Sequence, residues 1–186
     1  MIGYAMCGSF CTIESSLAEL RHLVDMGCDV QPFMSDILYN TDTRFGKCDE
    51  IKKKVELICG HKIVHTIQGA EPFGPSIKLD ALIISPCTGN TLAKLACGIT
   101  DTAVCMATKA HLRNDRPVVI ALASNDALSA NLKNISTLLS RKNFYFVPMH
   151  QDDPIKKPHS LVADFSMIPQ TLEKALKGTQ ISRIIL

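Results

Sequence analysis

Two hydrophobic rhythms alternate along the chain. Consecutive apolar residues at 1–6, 29–34, 81–84, 118–122 and 144–147 predict buried strands, and the β-branched run at 118–122 has the composition of a strand covered on both faces. Between these runs, apolar residues recur three or four positions apart. That spacing predicts helices over 12–26, 49–59, 91–97, 102–112, 128–140 and 167–178. The first buries Leu17, Leu20 and Leu23 or Val24 and stops at Gly27, while the second buries Ile51, Val55 and Ile58 and stops at Gly60. Residues 63–67 predict a further short strand, and Gly69, Pro72, Gly74 and Pro75 make 68–76 a rigid loop. Strands alternating with helices build parallel βαβ units. The expected fold is α/β, a Rossmann-like doubly wound parallel sheet in three αβα layers, with one domain over 1–186.

In such a sheet, ligands bind beyond the carboxyl ends of the strands. Four polar turns fall there. They are Gly8 and Ser9, followed by Phe10; Ser35; the stretch containing Ser85, Thr88, Gly89, Asn90 and Thr91; and Ser124 with Asn125. No Gly-x-Gly-x-x-Gly occurs, so a dinucleotide pyrophosphate is not supported. Two readings of the first turn stand side by side: a single phosphate held by the Gly8 and Ser9 amides and the Ser9 hydroxyl, or a plain turn that uses Gly8 for its dihedrals. Arg44 sits in a hydroxyl-rich loop at 40–46, where a guanidinium either grips a carboxylate or phosphate bidentately or tethers the loop by an ion pair. Residues 149–160 carry charges of both signs between prolines, as a functional loop or a solvated excursion does. The apolar residues 181–186 predict a tail that packs on a neighbouring subunit.

Composition narrows the partners. A chain of 186 residues, 46% hydrophobic and 20% charged, has enough apolar material for one sizeable core. Its formal charge is +2 with Lys and Arg dispersed, so the electrostatic footprint of a nucleic-acid or membrane-surface protein is absent. No apolar run approaches the roughly 20 residues of a membrane span, and the first residues lack a signal-peptide pattern; a cytoplasmic location is expected. None of the eight cysteines forms a Cys-x-x-Cys pair, and most lie in or beside apolar segments, as reduced, buried thiols do. His61 and His65 are four apart but flank a predicted strand rather than lying on a helix, so no metal site is expected.

Gly8-Ser9 after the first strand, Ser35 after the second, and Ser85-Pro86-Cys87-Thr88-Gly89-Asn90-Thr91 running on to Asp101 resemble the flavoprotein superfamily that includes flavin-containing cysteine decarboxylases and flavin prenyltransferases. Within it, the segments 40–46, 109–117, 124–128 and 151–158 resemble the B-subunit family of dipicolinate synthases, and together they cover essentially the whole chain. The resemblance implies an FMN-binding Rossmann-like fold and a role in oxidising a dihydrodipicolinate-level precursor to dipicolinate during bacterial spore formation. It also implies a partner, the dinucleotide-binding A subunit of dipicolinate synthase, and a homo-oligomer, trimeric or dodecameric. By the same resemblance Gly8, Ser9 and Phe10, with Ser35, meet the FMN phosphate. Ser85, Thr88, Gly89, Asn90 and Thr91 line the phosphate, ribityl and ring region, and Asp101 and Asn125 lie close to flavin or substrate.

Two departures count against the better-known chemistry of the superfamily. The region before the central strand reads Pro72-Phe73-Gly74-Pro75-Ser76 where the decarboxylases carry an active-site His, and their Pro-Ala-Met-Asn motif is Leu122-Ala123-Ser124-Asn125 here. Oxidation of a dihydropyridine dicarboxylate removes a hydride and a proton, and a small dianionic substrate needs cationic partners. Arg44, Arg113, Lys156 and Lys157 are the candidates, with His150 or His111 to move the proton. The rival readings are a flavin-dependent decarboxylase or prenyltransferase and a non-catalytic FMN or nucleotide scaffold.

Overall fold

In the computed structural model, which describes residues 1–186, strand β1 (Ile2–Met6) leads through a Gly8-Ser9 turn and a short 3-10 turn (Phe10–Thr12) into helix α1 (Ile13–Asp25). The predicted apolar stripe is its buried face, with Leu17, Leu20 and Leu23 inward, and Gly27 takes the left-handed conformation that ends the segment. Strand β2 (Val30–Met34) follows, then α2 (Asp36–Asn40), α3 (Cys48–Cys59) and the single turn α4 (Ile67–Ala70). The strand expected at 63–67 is reduced to one bridge between Val64 and Phe33, because the Thr66 hydroxyl accepts from the Gly69 amide and starts a helical turn instead.

Strand β3 (Leu82–Cys87) extends three residues beyond the predicted end, then come α5 (Gly89–Cys97), α6 (Ala103–Leu112) and β4 (Val118–Ser124). Helix α7 (Leu132–Leu139) is shorter at its start than predicted, since 126–131 turn instead. Short strands β5 (Phe144–Phe146), β6 (Met149–His150) and β7 (Leu161–Ala163) and helix α8 (Ile168–Leu176) complete the chain.

The parallel part of the sheet has the order β2-β1-β3-β4, with β5 added beside Val118–Ile120 of β4. The sheet is not wholly parallel. The carboxyl half of β4, Ala123 and Ser124, pairs antiparallel with β7, which pairs antiparallel with β6. The loop at 151–160 therefore returns the chain as a hairpin over the carboxyl edge. Neighbouring side chains on each strand point to opposite faces, so β1 sends Tyr4 and Met6 to one core and Ala5 to the other. The two cores are of nearly equal size, 26 and 24 buried residues, which is what covering helices on both faces require. The apolar tail folds on its own chain: the Met149 amide donates to Ile184 O at 2.7 Å and the Leu186 amide to Met149 O at 3.0 Å. No helix is long and apolar enough to cross a membrane.

Candidate functional site

The strand order reverses between β1 and β3, so the loops leaving their carboxyl ends diverge to opposite faces and open a crevice. A cavity of about 770 Å³ lies there, within the range of small-molecule and cofactor sites. Its floor is Gly8, Ser9 and Phe10 after β1 and Thr88 and Gly89 after β3. Its walls are Ser124, Asn125 and Asp126 after β4, Arg44 and Phe45 from the loop before α3, and Asp152 and Lys157 from the hairpin loop.

Each floor turn is held by its own hydrogen bonds. The Ser9 amide donates back to Cys7 O at 2.9 Å, so that amide is spent locally and the Ser9 hydroxyl is the polar group left to a ligand. That hydroxyl oxygen accepts from Thr12 Oγ1 at 3.0 Å and keeps its own proton to donate. Thr88 caps α5, accepting from the Thr91 amide at 3.3 Å, and Thr91 Oγ1 points at the Cys7 thiol at 3.3 Å. Burial pushes that thiol up to about 12, so Cys7 is a protonated core group rather than a nucleophile.

Gly89 is the tightest point. A Cβ there would fall on the Ser124 hydroxyl and stand 2.6 Å from Asn131 Nδ2 and 2.8 Å from Asp126 Oδ1. These three groups form one network: Ser124 Oγ donates to Asp126, Asn131 Nδ2 reaches both Asp126 oxygens at 2.9 Å, and Asn134 Nδ2 donates to Asn131 Oδ1 at 2.8 Å. The Ser124 bond, with the Asn131 amide, holds the Asp126 carboxyl below the usual range. Asp152 is likewise lowered, by Lys157 Nζ at 2.6 Å. Arg44 makes no ion pair and lies over the Phe45 ring, 4.8 Å from its centroid, so the tethering reading of this loop fails.

Several predicted site residues stand elsewhere. Ser85 lies within β3, fully buried, where Tyr4, Ser16 and Ser85 share their hydroxyls at 3.0 to 3.1 Å and Ser16 Oγ donates to Ser85 O at 2.7 Å. Ser35 is buried as the cap of α2, accepting from the Leu38 amide. Asn90 points to solvent and Thr91 is buried behind Thr88, so neither lines the cavity. Asp101 pairs with Lys94, both oxygens at 2.8 Å, beyond the far end of α5. Arg113 closes α6 beside Lys142, Asn143 and Phe144, at the opposite edge of the sheet. His111 is a core histidine whose Nε2 donates to Pro117 O at 2.9 Å, and His150 is exposed on β6 without lining the cavity. Sequence reasoning missed Asp126, Asn131 and Asp152. The first follows directly on Asn125 and was within reach; the others are brought in by tertiary contacts alone.

Residues 1–170 match the Flavoprotein family. This chain belongs to the flavoprotein family. The flavoprotein is 45% identical to the B subunit of dipicolinate synthase from Bacillus subtilis (strain 168) over 184 residues, covering 99% of this chain and 92% of that one. The crystal structure of the dipicolinate synthase B subunit from Bacillus halodurans matches it with a TM-score of 0.91 at 42% identity, over 100% of this chain and 95% of the other. The FMN-dependent cysteine decarboxylase SpaF matches with a TM-score of 0.70 at 22% identity, over 94% and 95% of the two chains. At that distance the likeness is one of fold.

Proposed function

We propose that this flavoprotein is the FMN-holding B subunit of a dipicolinate synthase and takes part in oxidising a dihydrodipicolinate-level precursor to dipicolinate in spore-forming cells. The observation that carries the reading is the cavity at the β1/β3 reversal, where two glycine-containing turns bring Ser9 and Thr88 into one lining with two loop cations, Arg44 and Lys157. The residues fit the cofactor. Gly89 lets the start of α5 pack directly on the Ser124, Asp126 and Asn131 wall, Ser9 meets the phosphate, Thr88 and Asn125 meet polar groups of the ribityl chain or ring, and the volume suits a mononucleotide. When bound, FMN supplies two-electron oxidising chemistry.

The chain's own side chains then bind and orient the substrate. Arg44, lying over Phe45 with no carboxylate partner, is free to fork onto one carboxylate, and Lys157 meets the second. The hairpin loop at 151–160 closes the mouth and limits water. The proton leaving the dihydropyridine ring has no histidine to receive it in the cavity lining, and both lining aspartates are held as carboxylates, Asp126 by Ser124 and Asp152 by Lys157. That observation favours a division of labour in which the dinucleotide-binding A subunit or a neighbouring copy in a homo-oligomer completes the reaction.

The absorbance spectrum of the purified protein tests the cofactor, with flavin bands that survive gel filtration as the expected result. Mixing that protein with dihydrodipicolinate in the absence of the A subunit tests the chemistry. Bleaching of the flavin bands supports a catalytic role, and an unchanged spectrum with full activity from the A subunit alone supports a scaffold.

A further inference from the structure

The four charges of the cavity are not equivalent. Asp126 is enclosed by the Ser124 hydroxyl and the Asn131 amide, donors that belong to the wall itself and remain whatever enters the cavity. Asp152 is held chiefly by Lys157, Nζ to Oδ2 at 2.6 Å, and Lys157 is one of only two cations lining the cavity. The pair is half in solvent, with side-chain exposures of 27% for Asp152 and 50% for Lys157, and solvent-exposed pairs of this kind contribute little to folding.

The loop does not need the pair. Asp153 Oδ1 accepts from the Ile155 amide at 3.2 Å and the Lys156 amide at 2.9 Å, and Asp153 O accepts from the Lys157 amide at 2.8 Å. Gln151 Nε2 ties across to Pro158 O at 2.9 Å, and the Leu128 amide anchors the loop through His159 O at 2.9 Å. Asp152 therefore offers Lys157 the same chemical group that a dicarboxylate ligand would offer, on a loop already shaped by other bonds.

We propose that Asp152 is an internal competitor for the ligand's second carboxylate: it holds the Lys157 ammonium until a dianion displaces it, and so lowers the cavity's affinity for dicarboxylates while leaving its affinity for monocarboxylates unchanged. A monoanion satisfied by Arg44 has nothing to give Lys157 in exchange, whereas a dicarboxylate replaces the lost ion pair with an equivalent one. The inference rests on the substrate class in the proposed function.

Calorimetric titration of FMN-loaded protein with dipicolinate, and with the monocarboxylate picolinate, tests it. Asp152→Asn is expected to tighten dipicolinate binding about three- to fivefold, the scale of one exposed ion pair released, and to change picolinate binding by less than twofold. Lys157→Ala is expected to weaken dipicolinate binding, and Asp152→Asn added to Lys157→Ala to bring less than twofold gain. Unchanged or weaker dipicolinate binding in Asp152→Asn overturns the proposal, as does an equal gain with and without Lys157 or a gain confined to FMN. A wild type that takes up no FMN fails the functional reading instead, and the same titrations on the flavin-free protein then decide the role of Asp152.

Discussion

A Cβ on Gly89 would stand 2.6 Å from Asn131 Nδ2 and overlap the Ser124 hydroxyl, so the start of α5 and the turn after β4 are in backbone-to-side-chain contact. Gly89→Ala must push these groups apart, and overpacking of this kind costs about 1–3 kcal/mol. The expected result is a lower urea midpoint together with weaker FMN binding, because Ser124 and its partner Asp126 line the cavity.

The Tyr4, Ser16 and Ser85 hydroxyls form a closed buried set, so each deletion strands a partner. Tyr4→Phe is expected to lower stability by about 1–3 kcal/mol. Ser85→Ala should also lower stability yet leave FMN affinity of the folded protein unchanged, since Ser85 does not line the cavity. Equilibrium unfolding and flavin fluorescence titration separate the two effects. A tenfold loss of FMN affinity in Ser85→Ala would restore Ser85 to the ligand.

Thr88 combines both roles. Its hydroxyl caps α5, and the residue lines the cavity. Thr88→Val is expected to lose the cap, about 0.5–2 kcal/mol, and to weaken FMN binding as well, in contrast to Ser85→Ala under identical conditions.

Arg44 stands over Phe45 with no anionic partner in its own chain. Removing a charged hydrogen-bonding group from a ligand costs about 1.5–3 kcal/mol, roughly a tenfold to hundredfold loss of affinity. Arg44→Ala is thus expected to retain flavin but to bind dipicolinate at least tenfold more weakly. Unchanged binding and turnover would remove Arg44 from the site.

His111 carries a pH signature. Burial lowers its pKa in the folded protein, and its Nδ1 has no partner. Below the ordinary histidine value of about 6.5 the unfolded chain takes up a proton that the folded chain refuses, so stability falls as pH drops from there towards the lowered native value. Asp126 acts in a lower window: its depressed pKa contributes stability above the ordinary aspartate value of about 3.9, lost as pH falls through the native one. Denaturation midpoints across pH 3–8 should show the first slope vanish in a His111→Gln variant that folds, while Asp126→Asn flattens only the acid limb.

Much of the fold is legible in one dimension because burial is periodic. The 118–122 run reads as a doubly covered strand from its β-branched residues, and Leu17, Leu20 and Leu23 mark the inner face of α1, since each signal is local and repeats with the backbone's own period. The turns after β1, β3 and β4 were legible for the same reason, and they supply the cavity's Gly8, Ser9, Thr88, Gly89 and Asn125. What no local pattern carries is direction and distance. Ser85 looks like a loop serine, but β3 runs three residues further and a hydroxyl on Tyr4 claims it. Arg113 looks like a substrate clamp, but α6 delivers it to the opposite sheet edge. The antiparallel hairpin of β6 and β7 is set by pairing with the last two residues of β4, and that pairing alone brings Asp152 and Lys157 over the crevice. Sequence by itself determined the layers and the strand-end turns, through hydrophobic periodicity. The tertiary structure decided which hydroxyls face a ligand and which charges meet, because both depend on contacts between residues far apart in the chain.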